Sequence, residues 1–132
     1  MPSILLIEDH VVFAQAIQRL LTGQTDLEIV DIVQSGEDAL KKLSELKVDL
    51  ALVDVSLPAM SGIDLVQQIR TEFPLLYCLM LSGHMSPNYV KRSLDAGASG
   101  YVLKEDTNGI LVGIRRVLGG EIYVSQVLQN YK

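Results

Sequence analysis

Five short apolar runs alternate along the chain with five stretches of helical periodicity, a pattern open to very few folds. The runs are Ile4–Ile7, Leu27–Val33 (interrupted by Glu28 and Asp31), Leu50–Val53, Tyr77–Leu81 and Tyr101–Leu103. The first, third and fourth are almost continuously apolar, as strands covered on both faces are. The second carries more charge, as a sheet edge does. Between the runs lie apolar stripes: Phe13, Ile17, Leu20 and Leu21; Ala39, Leu40 and Leu43; Ile63, Val66 and Ile69; and Ile110, Leu111, Ile114, Val117 and Leu118. A fourth helix, spanning about 86 to 96, has a weaker stripe of Tyr89, Val90, Ser93 and Leu94. Ser35 with Asp38 and Ser61 with Asp64 have capping-box spacing, and Ser86-Pro87 places a cap before a first-turn proline. Gly97, Gly119 and Gly120 are stop signals.

A βα unit repeated five times predicts an α/β fold with a five-stranded parallel sheet and five helices. In a doubly wound sheet the ligand site lies at the carboxyl ends of the strands, near a reversal of strand order. The chain of 132 residues fits one domain with a core of its own. Its net charge of −5 argues against direct nucleic-acid binding, which needs a basic face. The single cysteine, Cys78, excludes a disulfide framework and reads as a small core hydrophobe in a reducing compartment. No apolar run approaches the ~20 residues that span a bilayer, and Met1-Pro2-Ser3 lacks a secretory signal. A cytoplasmic chain without membrane contact is therefore expected.

The strand ends carry the chemistry. Glu8 and Asp9 follow the first run, Asp54 ends the third, Ser82 the fourth, and Lys104 follows the fifth. Each alone has a plain reading as a helix-start acid, a cap or a solvated loop charge. Together they bring three carboxylates, a hydroxyl and an ammonium to one sheet edge. Two carboxylates about 4 Å apart repel by roughly 4 kcal/mol at an effective dielectric near 20. Such a cluster raises a pKa, splays or binds a cation, and oxygen-only ligands beside phosphate favour Mg2+.

The motifs at these positions are Ile7-Glu8-Asp9-His10, Asp54-Val55-Ser56-Leu57-Pro58 with Gly62, Leu81-Ser82-Gly83, and Asp95-Ala96-Gly97-Ala98-Ser99-Gly100-Tyr101-Val102-Leu103-Lys104. In that order they resemble the receiver domains of two-component response regulators, over essentially the whole chain. The resemblance implies a flavodoxin-like (CheY-like) sheet of order 2-1-3-4-5. It makes Asp54 the phosphoacceptor nucleophile, supplied by a phosphohistidine on a sensor histidine kinase. Asp9 and Glu8, with Asp54 and the backbone carbonyl of Ser56, would hold Mg2+, Glu8 through water. Ser82 would bind one phosphoryl oxygen and Lys104 another. Tyr101 matches the switch aromatic: phosphate draws Ser82 inward, Tyr101 turns into the vacated space, and the surface of the fourth helix, fifth strand and fifth helix changes partners. Ser56 and His84, each two residues beyond a site residue, would tune phosphate lifetime. His10 reads as local packing.

Glu8 stands where Asp is commoner, Ser82 where Thr is, Leu57 where Met is, and Lys104-Glu105 where many relatives have Lys-Pro. Gly119-Gly120 followed by Glu121-Ile122-Tyr123-Val124-Ser125 resembles the exit of NarL/FixJ-type receivers, which lead to a LuxR-type helix-turn-helix domain. Residues 1–119 are thus expected as the receiver domain, and 120–132 as an extension beginning the linker to a missing output domain, through which DNA would be contacted and transcription regulated. A homodimer is a further expected partner, through the first and fifth helices or the fourth-helix face. The rival within this family is a stand-alone or pseudo-receiver that binds partners without phosphorylation. A dehalogenase-type phosphotransferase would need a carboxylate at Ser56, and a flavin binder would need a hydroxyl-rich loop in place of Glu8-Asp9-His10. A phosphoacceptor rather than an enzyme is the reading.

Overall fold

The computed structural model describes residues 1–129. The strands are β1 (Ser3–Ile7), β2 (Glu28–Val33), β3 (Leu50–Asp54), β4 (Tyr77–Ser82), β5 (Gly100–Leu103) and β6 (Tyr123–Val124). The helices are α1 (Val11–Thr22), α2 (Gly36–Glu45), α3 (Gly62–Glu72), α4 (Pro87–Asp95), α5 (Thr107–Leu118) and α6 (Gln126–Gln129). Every strand pair is parallel, and the order is β2-β1-β3-β4-β5-β6. Strand order reverses at β1, flanked by β2 on one side and β3 on the other, which places a crevice at the β1/β3 carboxyl ends.

The alternation of strand side chains divides the core into two layers. Leu5, Ile7, Ala51, Val53, Cys78, Met80, Tyr101 and Leu103 face α2, α3 and α4. Ile4, Leu6, Leu50, Leu52, Leu79, Leu81 and Val102 face α1 and α5. Burying each large apolar side chain contributes about 1.5–3 kcal/mol, so this double layer drives folding. β2 is the partly exposed edge that its charges predict, with a register shift between Ile4 and Leu5 of its partner. The helix starts follow the caps read from sequence: Ser35, Ser61 and Ser86 accept from Asp38, Asp64 and Tyr89 N–H groups. The α5 cap, Asp106, lacked a box signature; its carboxylate accepts from Gly109 N–H. No cis peptide bond occurs among the described residues, so Lys104-Glu105 is trans.

The expected count of five strands and five helices is corrected to six of each among the described residues. Tyr123 and Ser125 donate to the Ser99 and Tyr101 carbonyls at 3.0 Å each, adding β6 to the free edge of β5. Gly100 permits this approach, since a Cβ there would lie 2.4 Å from Tyr123 O. Leu128 of α6 then packs on the layer shared with α3 and α4. A two-residue strand is too short to display alternation, so only the edge itself reveals it. Beyond residue 119 the chain thus adds β6 to the sheet and α6 against the core as far as Gln129; residues 130–132, the end of the expected extension, lie outside the described residues.

Candidate functional site

The carboxyl ends of β1, β3, β4 and β5 converge. One carboxylate oxygen each from Glu8, Asp9 and Asp54 lie within 4.8 Å of one another. Glu8 and Asp54 are buried and Asp9 is exposed. Lys104 Nζ lies 2.8 Å from Glu8 Oε1 and 3.2 Å from Asp54 Oδ2. It also sits 4.8 Å from the centroid of the Phe13 ring on α1, a cation–π contact that sequence reading missed because Phe13 falls within an ordinary helical stripe.

Neighbouring backbone sets these side chains. Glu8 continues the sheet beyond β1 by donating its N–H to Val33 O, and its Oε2 accepts from His10 N–H at 3.1 Å. Asp54 Oδ1 accepts from Ser56 N–H at 3.1 Å. The β3–α3 loop doubles back tightly: Gly62 donates to Val55 O, and a Cβ on Gly62 would lie 2.0 Å from Asp54 O. Only glycine lets α3 abut the strand end at this point. Ala59 in the same loop has φ of 64°, an uncommon conformation for a residue with a side chain.

Ser82 is fully buried, and its Oγ accepts from His84 N–H at 2.9 Å. The His84 carbonyl in turn accepts from the Tyr101 hydroxyl at 2.8 Å. The His84 backbone therefore bridges Ser82 and Tyr101. Tyr101 is already fully buried, so its ring lies inward in this structure. At the exposed rim, His84 Nε2 stands 3.4 Å from Ser56 Oγ, and its ring meets Tyr89 edge-on at 5.0 Å. His10 caps α1 only through its backbone.

The charges are unbalanced: three carboxylates face one ammonium. Burial pushes the Glu8 carboxyl up from its usual value and the Asp54 carboxyl beside it adds to this, outweighing Lys104 and His10 N–H. Burial alone would lower Lys104, but contact with Glu8 and the Asp54 charge raise it above the ordinary lysine value. Glu8 Oε1 is buried, and the Lys104 ammonium meets it at 2.8 Å while also facing Asp54. Three carboxylates against one ammonium, in a purely oxygen donor set, fit a hard divalent cation.

A family model described as "Response regulator receiver domain" matches residues 4–115. The response regulator protein VraR of Staphylococcus saprophyticus is 32% identical over 128 residues, covering 96% of this chain and 61% of that protein. The transcriptional regulatory protein DegU of Brevibacillus brevis is 30% identical over 123 residues, 92% of this chain and 52% of that one. The chain thus spans between half and two thirds of the length of these relatives. Among solved structures, a LuxR-family two-component response regulator from Aurantimonas sp. SI85-9A1 superposes with a TM-score of 0.93 at 25% identity, over 97% of this chain and 92% of that one. The isolated receiver domain of RcsB from Salmonella enterica serovar Typhimurium, with phosphomimetic BeF3−, shares the fold with a TM-score of 0.91 at 20% identity, over 98% and 96%.

Proposed function

The chain belongs to the response regulator receiver family, and from that premise we propose that Asp54 is a phosphoacceptor charged by a sensor histidine kinase. The observation that carries this reading is the convergence of Asp54 with Glu8, Asp9 and Lys104 in one cluster at the strand-order reversal. In the transfer, a carboxylate oxygen of Asp54 attacks the phosphorus of a phosphohistidine. A P–O bond forms, the P–N bond breaks, and the imidazole leaves with a proton from solvent.

This chain's own groups support the step by placement and charge. Ser56 N–H, bonded to Oδ1, orients the Asp54 carboxylate. Ser82 Oγ already accepts from His84, which leaves its own proton to donate to a phosphoryl oxygen. Lys104 is close enough to Asp54 to pair with a second oxygen. Glu8, Asp9, Asp54 and the Ser56 backbone carbonyl would hold Mg2+, which when bound supplies positive charge for the phosphoryl oxygens.

The Ser82–His84–Tyr101 chain of bonds supports a switch in which the Ser82 contact with phosphate biases the buried state of Tyr101, and with it the face of α4, β5 and α5. Ser56 and His84 at the rim would tune phosphate lifetime by controlling water access. The likeness to longer regulators supports an output on transcription through a DNA-binding domain not contained in these 132 residues, and a homodimer as the active form. Among the described residues no helix is long and apolar enough to cross a membrane, and we assign the protein to the cytoplasm. The chain acts as a phosphoacceptor that assists its own phosphorylation and dephosphorylation, rather than as an enzyme.

Incubation with Mg2+ and a small acyl phosphate, followed by intact mass, tests the reading. One base-labile phosphoryl group is expected, absent in Asp54→Ala and absent with chelator. An unmodified mass would instead favour a pseudo-receiver that only binds partners.

A further inference from the structure

We infer that Ser125, acting with Asp106, is a positioning residue for Lys104, which makes the β6–α6 segment a working part of the phosphoacceptor site; this rests on the roles proposed above for Asp54 and Lys104. The β5–β6 ladder pairs Gly100 with Tyr123 and Tyr101 with Val124, and closes with Ser125 N–H on Tyr101 O. The chain then turns into α6, where Ser125 O accepts from Leu128 N–H. Leu103 N–H points to that same edge, and it takes a side chain as acceptor: Ser125 Oγ at 3.1 Å.

The same hydroxyl donates to Asp106 Oδ2 at 2.9 Å. The other oxygen of Asp106 caps α5 through Gly109 N–H at 3.0 Å, and Asp106 N–H closes the turn on Leu103 O. One fully buried hydroxyl thus grips the residue before Lys104 and the residue two after it. On the opposite side, Lys104 N–H donates to Ser82 O at 2.9 Å. The lysine backbone is clamped between the phosphate-facing strand end and the C-terminal segment. Without Ser125 Oγ, a buried N–H loses its partner and the Leu103–Asp106 turn loses its outer anchor.

The test uses the full chain. In Ser125→Ala, phosphorylation by the small acyl phosphate should slow roughly tenfold, since misplacement of a reacting or stabilising group by about 1 Å costs up to 10²-fold. Asp106→Asn, which keeps an oxygen for the α5 cap but turns a donor toward Ser125, should also slow the reaction. In a Lys104→Ala background, Ser125→Ala should add nothing. Amide exchange at Leu103 should quicken in Ser125→Ala while Val53 is unchanged.

Wild-type rates in both Ser125→Ala and Asp106→Asn, or an equal loss with and without Lys104, would overturn the inference while leaving Asp54 as phosphoacceptor. A wild-type chain that takes no phosphoryl group would overturn the reading of Asp54 itself, and this inference with it.

Discussion

Lys104 Nζ pairs with two buried carboxylates and lies closer to Glu8 than to Asp54, at 2.8 Å against 3.2 Å. In the proposed transfer Glu8 is a competitor as well as a neighbour, since it would share Lys104 with an incoming phosphoryl oxygen. Its raised pKa has a definite sign in stability. A carboxyl held above its ordinary value binds more protons folded than unfolded, so stability falls as pH rises. The loss begins near 4.5, the unperturbed value, and is complete above the folded value. In chelator, the melting temperature of Glu8→Gln minus that of wild type should therefore grow as pH rises from 4.5 and then level off. A difference independent of pH would refute the assigned cause. Added Mg2+ should stabilise wild type more than the variant.

Tyr101→Phe removes the hydroxyl that bonds His84 O and leaves the ring buried. A loss of about 0.5–1.5 kcal/mol is expected, the ordinary net worth of one hydrogen bond. Urea unfolding measures it. The phosphorylation rate should stay near wild type, because the proposed switch of Tyr101 follows the proposed transfer to Asp54.

Gly62→Ala forces a methyl to within 2.0 Å of Asp54 O, where the obstacle is backbone and cannot yield by rotamer change. Destabilisation of about 1–3 kcal/mol or more is expected from overpacking. Because the displaced atom belongs to Asp54, phosphoryl uptake by the folded fraction should fall as well. Intact-mass kinetics normalised to folded protein by circular dichroism separates the two effects.

Cys78 is fully buried on β4, and burial pushes its thiol up to about 12. At pH 8 the native chain should resist iodoacetamide for hours and react fully in guanidinium, as thiolate and access both appear only on unfolding. Fast native labelling would contradict the core packing of β4.

The sequence alone determined the five βα units, the two apolar layers of the sheet, the Ser35, Ser61 and Ser86 caps, and the arrival of Glu8, Asp9, Asp54, Ser82 and Lys104 at strand ends. These follow from repeats of 2 and 3.6 residues and from punctuation, which are local properties of a chain. Only the tertiary structure decided that Lys104 leans on Glu8 and over Phe13, that Glu8 is buried where Asp9 is exposed, and that His84 joins Ser82 to Tyr101. The sixth strand, the sixth helix and the Ser125 clamp belong to the same class. Each depends on which segments the sheet order sets side by side and on the rotamer that packing then allows, and no one-dimensional period records either.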